Sequence, residues 1–105
     1  MNFQNIIERL DSFEWNDWVY LNVDRDINLD SECAVLNPDI AELSDDGFTP
    51  KIAKERNISE FLQISDIRSV IENISHQGVE IDNIKIVNAC KFYFKYDAFL
   101  SFQKE

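Results

Sequence analysis

Oxygen-bearing side chains alternate in a short stretch near residue 25, as they do in loops that bind calcium. Four such residues occupy every second position: Asp24, Asp26, Asn28 and Asp30. A calcium loop also needs Gly at its sixth position for a sharp turn and a bidentate Glu at its twelfth, but these positions are Leu29 and Val35. We therefore expect no calcium or other metal site here and interpret the stretch as a solvated acidic loop.

Nucleophilic catalysis would need a thiol or hydroxyl within reach of a base. The chain has one histidine, His76, which falls near the end of a predicted helix. Cys33 lies in a predicted apolar strand and Cys90 on a predicted apolar helical face, a pattern typical of buried, reduced thiols. With two glycines in the whole chain, no glycine-rich phosphate loop occurs. We expect a protein that is not an enzyme, with no catalytic residues and no cofactor.

The acids are concentrated in one third of the chain. Residues 11–46 hold eleven acids and one base, Arg25, so the block has a net charge of −10, which equals that of the whole protein. Residues 1–10 and 47–105 are each neutral. So much negative charge repels phosphates, which argues against direct nucleic-acid binding and favours a basic partner.

Two tryptophans flank Asp17 inside this acidic block. Aromatic side chains among acids are typical of interface hot spots, whereas a Trp in a small domain is often part of the core. We expect Trp18 to be largely buried in a strand, and Trp15 to lie either at the core edge or on a contact surface. The residues predicted to contact a partner are Trp15, Asp17, Tyr20, Asp24, Asp26, Asp30, Glu32, Asp45 and Asp46.

The length of the chain, 105 residues with 45% hydrophobic content, allows one domain with a modest core. The chain shows no apolar run that would span a membrane and no secretory signal. We expect residues 1–105 to form a single cytosolic domain that does not enter a membrane and is monomeric when free.

The first half of the chain predicts one helix and one hairpin. Apolar residues at helical spacing predict a helix over residues 2–11, with Asn2 as its cap. Residues 18–21 and 33–36 favour strands. Their connection, residues 22–32, is longer than a usual hairpin loop, so it is either a projecting loop or a site with a local purpose.

The middle of the chain is polar and less definite. Residues 38–49 predict an exposed connection that ends in a turn. Residues 50–57 suit a short helix, and residues 61–64 suit a short strand equally well. The sequence leaves this segment open.

Two helices are predicted in the C-terminal part. Ser65 should cap the first, Gly78 should end it, and one face repeats Ile67, Val70, Ile71 and Ile74. The second, residues 82–96, would bury Ile86, Cys90, Tyr93 and Phe94, while Phe99 and Phe102 fold back onto the core. Alternating aromatic and polar residues at 91–97 leave a strand as the alternative. These elements predict an α+β domain with an N-terminal helix, short antiparallel strands joined by an acidic loop, and two C-terminal helices.

Four runs of the sequence resemble a family of small acidic bacterial proteins found beside polymorphic toxins. They are WNDWVYL at 15–21, DSECAVLNPD at 30–39, ISDI at 64–67 and DAF at 97–99. In these runs the chain is similar to immunity proteins of the contact-dependent growth inhibition type. The resemblance implies a cytosolic protein that binds and blocks one toxin domain, commonly a nuclease, and it implies no catalytic residues.

Charge and resemblance favour the same hypothesis. A nuclease presents Lys, Arg or His to a phosphate backbone, so an inhibitor can oppose it with carboxylates. We expect an inhibitor of a basic nuclease toxin, with residues 11–46 as the docking face. We prefer a ribonuclease to a deoxyribonuclease as the toxin. The alternative is another acidic interaction module, such as a DNA mimic or a regulator that binds a basic host protein.

Overall fold

The computed structural model describes residues 1–37, 39–47 and 49–102, which form four α-helices and a three-stranded sheet. In chain order the elements are α1 (Phe3–Glu8), β1 (Trp18–Leu21), β2 (Cys33–Leu36), α2 (Lys51–Arg56), β3 (Ser59–Gln63), α3 (Ile64–His76) and α4 (Asn83–Tyr96). The predicted α+β class is confirmed. Of the predicted connection over residues 38–49, Pro38 and Phe48 lie outside the described residues.

The middle strand of the sheet is β1. It pairs antiparallel with β2 on one side and with β3 on the other. The strands predicted at residues 18–21 and 33–36 are therefore confirmed. The pairing of β1 with β3 contains a bulge at which Phe61 is the extra residue.

Both faces of β1 are covered. Val19 and Leu21 face the main core, which the strands form with α1, α3 and α4. Trp18 and Tyr20 face a smaller cluster, to which Ala53 of α2 also belongs. Trp18 packs against this cluster and is partly buried, which agrees with the prediction of a largely buried Trp18.

At the N-terminus, α1 begins at its predicted cap. The Asn5 N–H donates to Asn2 Oδ1 at 2.9 Å, and the Asn2 N–H donates to Asn5 Oδ1 at 3.0 Å. Phe3 and Ile6 point into the core and are 0% exposed. The predicted helix over residues 2–11 is confirmed in place, although it continues after α1 as a 3-10 turn at Leu10–Ser12.

The segment that the sequence left open contains both a helix and a strand. Residues 51–56 form α2 and residues 59–63 form β3. Between them Asn57 adopts a left-handed backbone, with φ of 56°, which ends the helix and reverses the chain.

The start of α3 differs from its prediction, because Ser65 is not the cap. The helix begins at Ile64, directly after β3. The N–H groups of Ile64 and Ser65 donate to the carbonyls of Asp17 and Trp15 at 2.9 and 3.0 Å. The Asp66 carboxylate accepts the N–H of Gln63, the residue before the helix, at 3.0 Å. Since these partners satisfy the first amides, the helix needs no serine cap.

The predicted apolar face of α3 is largely confirmed. Ile67, Val70 and Ile74 are at most 1% exposed, and Ile71 is half-buried against the same core. Gly78 follows the helix with φ of 73°, as a helix stop predicts.

The helix predicted over residues 82–96 is confirmed as α4, and the alternative strand at 91–97 is wrong. The Lys85 N–H donates to Asp82 Oδ1 at 2.8 Å, which caps the helix. Ile86 and Cys90 are buried as predicted.

The aromatic residues at the end of α4 are less buried than predicted. Phe94 is 42% exposed, although its ring centre lies 5.0 Å from that of Phe61. Phe99 folds back onto Tyr93 at 5.5 Å but remains 44% exposed. Phe102 packs against the main core as predicted. Phe94 thus lies on the predicted apolar face and Phe99 folds back as predicted, although both lie at the edge of the core.

Candidate partner-binding surface

The acidic block is divided between the two ends of β1. Residues 11–17 precede this strand, and residues 39–46 follow β2 from the same end, because Leu36 pairs with Trp18. We call this the tryptophan end. The connection 22–32 lies at the opposite end of the four-residue strand, roughly 10 Å away at the rise of a β-strand, and we call it the loop end.

The loop end lies on the core and does not project. Ile27 is 8% exposed, and Leu29 packs against the main core. The Gln4 N–H donates to the Leu29 carbonyl at 3.0 Å, and the Phe3 N–H to that of Ser31 at the same distance. The alternative of a projecting loop is therefore wrong, and Leu29 serves as an anchor of the loop.

Two of the four predicted acids at the loop end have cations beside them. The Lys91 Nζ lies 3.3 Å from Asp26 Oδ1, and an Arg56 nitrogen lies 3.9 Å from Glu32 Oε1. Hydrogen bonds from the Asn28 side chain and from Lys91 lower the pKa of Asp26. The loop end is thus partly neutralised by bases from α2 and α4.

The other two predicted acids of the loop end are free. The carboxylates of Asp24 and Asp30 are exposed and have no hydrogen-bond or ion-pair partner within the described residues. A cleft of about 450 Å³ lies between this loop and the α2–β3 junction, and its lining mixes Asp30 and Glu32 with Arg25 and Arg56. Asp26 also lines the cleft, so three acids and two bases share it, and neither sign of charge dominates strongly.

The tryptophan end carries seven acids and no base within its own residues. They are Asp11, Glu14, Asp17, Asp39, Glu42, Asp45 and Asp46. Three bases from other segments approach this end. The Lys51 Nζ lies 3.8 Å from Glu42 Oε1, Lys54 lines a cleft with Asp45, and Arg68 donates to the carbonyls of Leu10 and Phe13. Seven acids near three bases leave more net negative charge here than the loop end has, where four acids lie near Arg25, Arg56 and Lys91.

Two predicted contact residues of the tryptophan end support the fold. Asp17 Oδ2 accepts the Glu14 N–H at 2.9 Å. Asp46 accepts the Ser44 hydroxyl at 3.0 Å, and the Thr49 N–H and hydroxyl at 2.8 and 2.7 Å. Both carboxylates hold turns together, which limits their freedom to reorient toward a partner. Asp45 is exposed, as a contact residue must be.

Large apolar side chains are exposed among these acids. Trp15 is 62% exposed, Ile40 is 84% exposed and Leu43 is 41% exposed. The sequence left Trp15 either at the core edge or on a contact surface. The structure places it on the surface. The sequence prediction omits Ile40 and Leu43, although an apolar residue between acids in a polar connection is the signal that identifies them.

Tyr20 cannot serve as a predicted contact residue, because it is 1% exposed. Its hydroxyl reaches Glu60 Oε1 at 3.4 Å beneath α2. Burial, reinforced by the charge of Glu60, raises the pKa of Tyr20 to about 12. The prediction fails because α2 covers the second face of the sheet.

The candidate nucleophiles of the sequence are placed as expected. Cys33 and Cys90 are free and buried, and burial raises the pKa of each thiol to about 12. His76 is on the surface with 74% of its side chain exposed, 3.9 Å from Glu72. Both thiols are therefore protonated at neutral pH and distant from solvent.

The described ranges contain neither a metal-binding cluster nor a membrane-spanning helix. In residues 1–37, 39–47 and 49–102, no three His, Cys, Asp or Glu side chains are grouped so as to hold a metal ion. Over the same residues, no helix combines the length and the apolar character that a bilayer crossing requires.

Comparison with known proteins identifies a family. The profile of a family described as a domain of unknown function, DUF7716, matches residues 1–102. The chain belongs to the DUF7716 family. No curated protein matches the chain, and no solved structure matches it. The family description names no activity and no partner.

Proposed function

We propose that this protein is an inhibitor that binds a basic protein domain through its tryptophan end. One observation carries the proposal: the two segments of the tryptophan end contain seven acids and no base of their own, and Trp15 and Ile40 within these segments are exposed. Clustered carboxylates accelerate encounter with a basic surface, and exposed apolar side chains slow dissociation once the contact excludes water. This pairing of charge and apolar surface supports capture of a basic partner.

A nuclease domain is the partner that this chemistry fits best. Nucleases bind phosphates with Lys, Arg and His, so carboxylates of an inhibitor can occupy the same positions. The resemblance to immunity proteins of contact-dependent growth inhibition supports the same assignment. We therefore propose a cytosolic immunity protein that blocks a nuclease toxin, a ribonuclease before a deoxyribonuclease.

The loop end belongs to the same proposed footprint as a secondary contact. A standard interface buries about 800 Å² on each partner, which corresponds to a patch roughly 30 Å across. The two ends of β1 are separated by roughly 10 Å. We include Asp24 and Asp30 in the proposed footprint because their carboxylates are exposed and unpaired among the described residues.

The test begins with a search of the neighbouring genes for a basic nuclease-toxin domain, which is then co-expressed with this protein for co-purification and stopped-flow binding. We expect a stable complex whose association slows about tenfold or more as salt rises from about 0.01 M to 0.15 M, because the Debye length falls from about 30 Å to about 8 Å. Failure to form a complex, or a rate indifferent to salt, would contradict the proposal. Capture of a basic host protein in place of the toxin would favour the alternative regulator.

A further inference from the structure

A groove of about 320 Å³ separates the loop end from α4. Its apolar lining comes from Ile27, Leu29, Ile84 and Val87. Ile84 is 58% exposed, although it is one of the most apolar residue types. Asp26 and Asp30 line the same groove, so apolar surface and negative charge meet in it.

Lys91 indicates which chemistry the groove accepts. It lines the groove, and its Nζ donates to Asp26 Oδ1 at 3.3 Å. A lysine or arginine can lay its aliphatic stem on apolar surface while its charged head stays at a polar rim. The chain's own lysine thus illustrates the contact that a cation from outside would make.

The internal pair is loose enough to be exchanged. The side chain of Lys91 is 37% exposed and that of Asp26 is 77% exposed. An ion pair this exposed contributes little to stability, because water screens the attraction between the two charges. The carboxylate of Asp30 has no partner among the described residues and is a second acceptor for an incoming cation.

We propose that this groove receives a lysine or arginine side chain of the basic partner in place of Lys91. The inference rests on the proposed function, since the side chain belongs to the same partner. The stem of the incoming residue lies over Ile84 and Leu29, and its head lies between Asp26 and Asp30. Lys91 then competes with the incoming side chain for Asp26, so a strongly basic segment of the partner displaces it and a weakly basic one does not.

The test uses an oligolysine peptide as the probe and the full-length protein observed by methyl and amide NMR. We expect peptide-induced shifts in the methyl groups of Ile84 and Leu29. Lys91→Met should tighten peptide binding about twofold to fivefold, because it removes the competing ammonium and keeps an apolar stem. The matched control is Lys95→Met, which removes the same charge from α4 outside the groove and should tighten binding less.

A second pair of variants separates the groove from general surface attraction. Ile84→Ser should weaken peptide binding, whereas Ile81→Ser, at an isoleucine that is also exposed but does not line the groove, should leave it unchanged. Equal tightening by both lysine variants, or unshifted methyl groups at Ile84, would overturn the inference while the toxin complex still forms. Absence of that complex in co-purification would overturn the proposed function and the inference together.

Discussion

The two ends of the sheet carry the same kind of residue in different electrostatic settings. At the loop end, Arg56 and Lys91 approach the acids from other elements, and Arg25 stands among them in the sequence. At the tryptophan end, Lys51 pairs with Glu42, and Arg68 and Lys54 also lie nearby, but these bases approach seven acids and not four. The density of acids in a sequence therefore does not give the field at the surface, because the fold decides which bases come close.

Acids also differ within the tryptophan end. Asp46 is held by the backbone and side chains of its own turn, whereas Asp45 next to it is exposed and has no such bonds among the described residues. Adjacent carboxylates can thus have separate roles, one stabilising the chain and one available to a partner.

The largest expected effect comes from the exposed aromatic residue of the tryptophan end. Trp15→Ala should accelerate dissociation of the toxin complex about 30-fold, which corresponds to a hot-spot loss of about 2 kcal/mol. Tyr96→Ala is the control, because Tyr96 is 56% exposed on α4, close to the 62% of Trp15. Dissociation rates from stopped-flow chase experiments measure both. Equal effects would remove the distinction between this end and the rest of the surface.

Two variants with the same loss of charge compare the ends directly. At the tryptophan end the changes are Asp11→Asn, Glu14→Gln, Asp39→Asn and Asp45→Asn. At the loop end they are Asp24→Asn, Asp26→Asn, Asp30→Asn and Glu32→Gln. We expect association at low salt to slow about tenfold for the first set and about threefold for the second, because nearby bases already weaken the field of the loop end. The reverse order would locate the docking face at the loop.

A smaller effect should appear in stability. Asp46→Ala removes the acceptor of the bonds to Ser44 and Thr49 and should lower the free energy of unfolding by about 1 kcal/mol. Asp45→Ala should change it by less than about 0.5 kcal/mol. Urea denaturation compares the two variants. A similar loss in both would mean that the turn does not depend on the Asp46 carboxylate.

The smallest effect concerns pH. The pKa of Asp26 lies below its ordinary value of 3.8, first because of the Asn28 hydrogen bond and then because of Lys91. A lowered folded-state pKa stabilises the protein above the unfolded pKa, and this contribution is lost as pH falls through the folded pKa. NMR titration of the carboxyl group should show the pKa of Asp26 rising in Lys91→Met. An unchanged pKa would mean that Lys91 does not pair with Asp26 in solution.

Local signals in the sequence were sufficient to predict several elements. The strand-favouring residues at 18–21 and 33–36 form strands with those bounds, and Asn2 caps α1 through side chains within one turn. The helix α4 forms over the predicted span, because its polar and apolar residues repeat at helical spacing along the chain. These features could be predicted because the interacting groups are close along the chain.

Features that depend on distant segments could not be predicted. Tyr20 is buried by α2, a helix that the sequence left open. Ser65 is not a cap because the carbonyls of Trp15 and Asp17, some fifty residues earlier, satisfy the helix amides. The antiparallel register of β1 also divides one continuous acidic block between two ends of the sheet. Each outcome follows from tertiary pairing that no local pattern encodes.

The junction between β3 and α3 affects which sequence changes the surface tolerates. The Ser65 N–H is held by the carbonyl of Trp15, and the Ile64 N–H by that of Asp17. Main-chain groups make these bonds, so a residue other than proline at position 65 can keep the amide donor, and position 15 supplies its carbonyl whatever its side chain. The side chain at position 15 can therefore diversify to suit new partners while the start of α3 stays fixed.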